Sequence, residues 1–102
     1  MGSNRRYADA VDRRMNQRIV ERAIDEGEPE SLQPSELELD TEPLTRPPVA
    51  KPVKACVRYS GMPVWVDALA TAWTEHAVAV KWRTPSGTEH RAWVWASAVR
   101  PR

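Results

Sequence analysis

The chain is poor in several residue types, and each shortage excludes something. A single cysteine, Cys56, stands among 102 residues, so no disulfide forms within the chain. That usage fits a reducing, cytoplasmic setting. Phenylalanine is absent, and there are only four glycines. No run of 18 apolar residues is present, which excludes a membrane-spanning helix, and the N-terminus has no apolar stretch of the kind that begins a signal peptide. Lysine is scarce, three against twelve arginines, and alanine is abundant at thirteen. That bias is associated with GC-rich bacterial or phage genomes. Nor is there a nucleophile elbow, a phosphate loop, an H-E-x-x-H or a C-x-x-C. Without a triad or paired acids the expectation is a protein that is not an enzyme and carries no cofactor. Cys56, His76 and His90 match no zinc-ligand spacing, so no metal site is expected.

What is present falls into three blocks of charge. Residues 1–26 hold six Arg and five acids, residues 27–48 six acids and one Arg, and residues 49–102 eight Lys/Arg and three acids. We read them as an N-terminal amphipathic helix (1–27), an acidic Pro-rich linker (28–52) and a β-module (53–102). In the first block Tyr7, Val11, Met15, Ile19 and Ala23 recur at i+4, which predicts a helix from Tyr7 to about Asp25 with one apolar stripe. Gly27 ends it. The linker carries six prolines; it buries too little apolar surface to offset its ordering entropy and is expected to be largely disordered. Pro34-Ser35-Glu36-Leu37 starts one short helical turn. Arg46–Pro52 is extended.

The β-module is organised by its turn Thr84-Pro85-Ser86-Gly87-Thr88. Pro85 presets φ, and Gly87 accepts a positive φ, giving a three-residue hairpin loop with a bulge. This register pairs Arg83 with Glu89, Trp82 with His90, Lys81 with Arg91, Val80 with Ala92, Ala79 with Trp93 and Val78 with Val94. Alternation then puts Val78, Val80, Trp82, His90, Ala92 and Val94 on the core face. Upstream, Val53–Tyr59 alternates, Ser60-Gly61-Met62-Pro63 turns, and Val64–Trp73 forms a long strand. With Thr74-Glu75-His76 as the next loop, Trp73 faces Ala77, Thr71 faces Ala79, Leu69 faces Lys81 and Asp67 faces Arg83. Ala96-Ser97-Ala98 suits a 3₁₀ turn before a last strand at Val99-Arg100.

Five short strands with a 3₁₀ turn before the last resemble an SH3-like barrel. The segment Ala92-Trp93-Val94-Trp95-Ala96-Ser97-Ala98-Val99 is similar to the strand, turn and valine that close such barrels. Ala55-Cys56-Val57-Arg58-Tyr59 differs from the Ala-Leu-Tyr-Asp-Tyr segment of signalling SH3 domains. The resemblance therefore implies the architecture of a mainly β protein and not the binding of Pro-rich peptides.

The face opposite the core is the candidate binding site, made by Trp73, Lys81, Arg91, Trp93 and Trp95. Lys81 opposite Arg91 is a like-charge pair that needs an acid or anion to answer it. Aromatics beside basic residues serve a protein partner, through hot-spot Trp and Arg, or a nucleic acid, through stacking and phosphate contacts. The near-zero net charge of +1 favours a non-catalytic protein-interaction module. The alternatives are a nucleic-acid-binding accessory protein, with the acidic linker competing for the basic face, and a structural part of a phage or multiprotein assembly.

Overall fold

The computed structural model describes residues 21, 22 and 24–102. Most of the helix expected over Tyr7–Asp25 lies outside the described residues; residues 21, 22 and 24–26 are helical. The rest is mainly β. Five strands follow, β1 (Lys51–Tyr59), β2 (Met62–Trp73), β3 (Ala77–Arg83), β4 (Glu89–Trp95) and β5 (Val99–Pro101), with a 3₁₀ turn at Ala96–Ala98 between the last two. They make one antiparallel sheet in the order β4-β3-β2-β1-β5. The sheet is not closed: β4 and β5 are its edges. β4 nevertheless lies against β1 across a seam that carries no shared strand ladder.

The β3–β4 hairpin has the expected register at every pair from Ala77↔Trp95 to Arg83↔Glu89. Its loop is held by Thr84 N–H to Thr88 O and Gly87 N–H to Thr84 O, both 2.8 Å, with Gly87 at φ 93°. The β1–β2 turn is tighter than expected. Ser60 and Gly61 both take positive φ, 51° and 79°, so Tyr59 pairs directly with Met62. A two-residue turn of this hand matches strand twist. Pro63 then falls inside β2, which it tolerates because β3 pairs with β2 only from Leu69 onward and that edge needs no N–H there.

The β2–β3 register departs from expectation past Ala70↔Val80. The hairpin closes on Trp73↔Val78, one step out of line, and a bulge between Ala70 and Ala72 leaves Thr71 unpaired. Ala72, not Thr71, faces Ala79, and Trp73 does not face Ala77. The turn dictates this. The Thr74 hydroxyl accepts the amides of His76 (3.2 Å) and Ala77 (3.1 Å), so β2 and β3 meet first at Trp73↔Val78 and one residue of β2 is left over.

The core is built from Ala55, Val57, Tyr59, Ala68, Val80, Trp82, Ala92 and Val94, joined by Ile24 from the end of the helical segment. Small alanines around Trp82 let the strands curl tightly over one large side chain. Tyr59 Oη takes the Trp82 indole N–H at 3.0 Å and pairs with His90 Nδ1 at 2.8 Å. The three rings pack at 5.8 to 6.5 Å between centroids. Burial raises the Tyr59 phenol above its ordinary value, against the Trp82 hydrogen bond.

Residues 28–52, the segment expected to be largely disordered, touch the sheet at defined points, and the last two open β1. Pro29 bridges Tyr59, and Thr45 exchanges both main-chain hydrogen bonds with Trp73, at 2.8 and 2.9 Å. One helical turn, Pro34–Leu37, forms where expected, with Gln33 N–H donating to the Glu36 carboxylate at 2.9 Å. Leu37 is buried, as are Ala70, Ala72 and Ala77, all outside the main core cluster. Residues 24–50 therefore form an arm laid along the sheet. The composition of the arm conceals this, because main-chain hydrogen bonds leave no side-chain pattern. Among the described residues no helix is long and apolar enough to cross a membrane.

Candidate functional site

The hairpin puts Lys81, Arg91, Trp93 and Trp95 on one face of the sheet in consecutive rows, Lys81↔Arg91, Ala79↔Trp93 and Ala77↔Trp95. Trp73 stands one register step apart from these rows because of the bulge, so the expected Trp73–Ala77–Trp95 row does not form. The Lys51 ammonium lies 5.3 Å above the Trp73 ring instead.

The like-charge pair is answered from within the chain. Arg91 Nε donates to Glu89 Oε2 at 3.0 Å. Arg91, by hydrogen bond and charge, holds the Glu89 carboxyl below its ordinary value, and Lys81 and Arg83 add to the effect. Arg83 is opposite Glu89 in the ladder, yet its guanidinium turns to Gly87 O at 3.0 Å. The charge of Arg91 is therefore partly answered by Glu89, and the tryptophans carry what is distinctive. Trp95 is 44 % exposed; Trp93 is partly buried.

The arm meets this face at Trp93. The Leu32 amide donates to Trp93 O at 2.9 Å, and the Trp93 amide donates to Ser31 Oγ at 2.9 Å. Two residues earlier, the Glu30 amide donates to Arg58 O on β1 at 2.7 Å. Residues 29–32 thus span the seam, bonded to β1 on one side and β4 on the other. A cleft of about 200 Å³ lies beside them, with Cys56, Arg58, Trp93, Trp95 and Ala98 on the sheet side and Glu30, Ser31 and Leu32 on the arm side.

Upstream, Asp25 Oδ1 accepts the Ser86 amide at 3.0 Å, tying the helical segment to the β3–β4 loop. That backbone hydrogen bond holds the Asp25 carboxyl below its ordinary value.

One aromatic escaped the sequence reading. Trp65 on β2 is 49 % exposed, and the Arg100 guanidinium stacks 4.7 Å from its ring centre. The signal was available: Val64 and Val66 face the core, so strict alternation sends Trp65 outward. Among the described residues, Glu42, Glu75 and His76 gather their ligating atoms within 4.8 Å of one another on the surface, joining the arm to the β2–β3 loop. His90, by contrast, is committed to Tyr59.

Comparison with protein-family models, curated proteins and solved structures finds no match to this chain.

Proposed function

We propose that the chain is a non-catalytic protein-interaction module, its five strands forming an SH3-like barrel and its partner docking on the aromatic end of β4. The strand order β4-β3-β2-β1-β5 with a 3₁₀ turn before β5 supports the architecture. The observation that carries the function is Trp95. It stays 44 % exposed, beside Trp93 and at the mouth of an apolar cleft, whereas Trp65, the other exposed tryptophan of the sheet, lies against the Arg100 guanidinium. An exposed tryptophan next to a preformed cleft is the composition of an interaction hot spot. Lys81 and Arg91 stand on the same face one row beyond Trp93 and contribute orientation; with Glu89 bound to Arg91 they do not form a bare cationic track for phosphates.

Two measurements on the full chain test this reading. Capture of proteins from the source cell by the wild-type chain is compared with capture by Trp95→Ala. The expected result is a defined partner, retained by the wild type and lost with the variant. In parallel, short single- and double-stranded DNA is titrated at low and at moderate salt. Salt-sensitive quenching of tryptophan fluorescence would contradict the interaction reading in favour of nucleic-acid binding.

A further inference from the structure

Residues 29–32 occupy a place in the sheet that their sequence does not advertise. β4 is an edge strand, and β1 past Ala55 runs beyond its ladder with β5, so both offer main-chain groups without a strand partner at the seam. The arm takes Arg58 O, Trp93 O and the Trp93 amide through three hydrogen bonds of 2.7 to 2.9 Å. This is how extended peptides are held at sheet edges, where main-chain bonds give affinity and side-chain pockets give choice.

The arm fits its place only in part. The Trp93 amide is met by a serine hydroxyl and not by a carbonyl. The adjoining cleft of about 200 Å³, walled by Trp93, Trp95, Cys56 and Ala98, is lined but not filled by Leu32. Charge favours the docking all the same: residues 49–102 carry eight Lys/Arg against three acids, and residues 27–48 carry six acids against one Arg.

We propose that the seam between β1 and β4 is an acceptor site for an extended acidic segment of a partner protein, with Glu30–Leu32 as its resident competitor. The partner's segment follows the path of the arm and places a large apolar side chain in the cleft. A second copy of this chain is the poorer occupant, because an identical arm leaves the cleft as it is. The proposal rests on the protein-interaction reading and names the chemistry of the partner.

The test uses the full chain and two synthetic peptides of residues 27–46, one unsubstituted and one carrying Leu32→Phe. The host is the wild type or Glu30→Pro/Leu32→Pro, which deletes both donor amides of the arm and alters no residue of the sheet. Calorimetry at low salt should show the double variant binding the Phe peptide about tenfold more tightly than the wild type does, since two modest hydrogen bonds no longer compete. The Phe peptide should also bind several-fold more tightly than the unsubstituted one, and moderate salt should weaken both. Equal affinity of the two hosts, or of the two peptides, overturns the proposal. If the double variant does not fold by circular dichroism, amide shifts of the wild type with excess Phe peptide decide: changes at Arg58, Trp93 and Trp95 support it, and none overturns it. Dimers of the double variant that the peptide fails to dissociate, seen by light scattering, also overturn it. If the peptides fail while Trp95-dependent partner capture persists, only the seam site is lost; failure of both removes the interaction reading as well.

Discussion

At the scale of single residues, Tyr59 does the most. Its hydroxyl meets the Trp82 indole and the His90 ring at once, from a position 2 % exposed. Tyr59→Phe removes that oxygen and leaves the buried Trp82 nitrogen and the part-buried His90 nitrogen without their partner. The expected loss is about 1–3 kcal/mol in urea unfolding, the cost of an orphaned buried polar group; a loss below a few tenths would show that water replaces the hydroxyl. Trp82 as core and His90 as its rim were legible from alternation along one hairpin. Tyr59 as their common partner was not, because it lies on another strand and alternation says nothing about which side chains converge. Asp25 supplies a pH-dependent contact. Its folded pKa is lowered from the ordinary value of 3.8 by the Ser86 amide. Its contribution is therefore fully present above that value and is lost as pH falls through the lowered one. The Ser86 amide should keep its hydrogen-exchange protection through the ordinary carboxylate range and lose it only at more acidic pH, and Asp25→Asn should weaken that protection and flatten its acid dependence. A Ser86 amide equally protected at all pH values would place the hydrogen bond elsewhere.

Among the elements, the β3–β4 hairpin was readable because turn chemistry and charge pairing point to one register, and every pair of that ladder formed. Gly87 is the residue it depends on. At φ 93°, with nothing within 4 Å of the place a methyl group would take, Gly87→Ala meets no clash and costs only backbone strain. We expect about 1–2 kcal/mol, read as a lower urea midpoint with an unchanged slope; a changed slope would mean that the hairpin re-registers. The β2–β3 hairpin was half readable. Leu69↔Lys81 follows from alternation, but the Thr74 hydroxyl captures two amides of the turn and pushes the surplus residue into a bulge at Thr71. A side-chain-to-backbone bond of that kind competes with the ladder locally and leaves no periodic trace. Trp73 accordingly left the row of tryptophans to which alternation had assigned it.

The whole molecule is more than a sheet with a tail. Ile24 packs in the core, Asp25 holds the β3–β4 loop, residues 29–32 cross the seam and Thr45 pairs with Trp73. Composition offers few apolar side chains here, and main-chain bonding to open sheet edges needs none. The arm therefore bears directly on the candidate site, since Trp93 is both an element of the aromatic face and the arm's anchor. The most direct check is native-state hydrogen exchange of the Trp93 amide in the full chain and in Ser31→Ala, which removes only its acceptor. The account predicts a protected Trp93 amide in the wild type and exchange faster by roughly two- to tenfold in the variant, with Val80 and Val94 unchanged. A Trp93 amide that exchanges freely in the wild type, or is indifferent to Ser31→Ala, would contradict it.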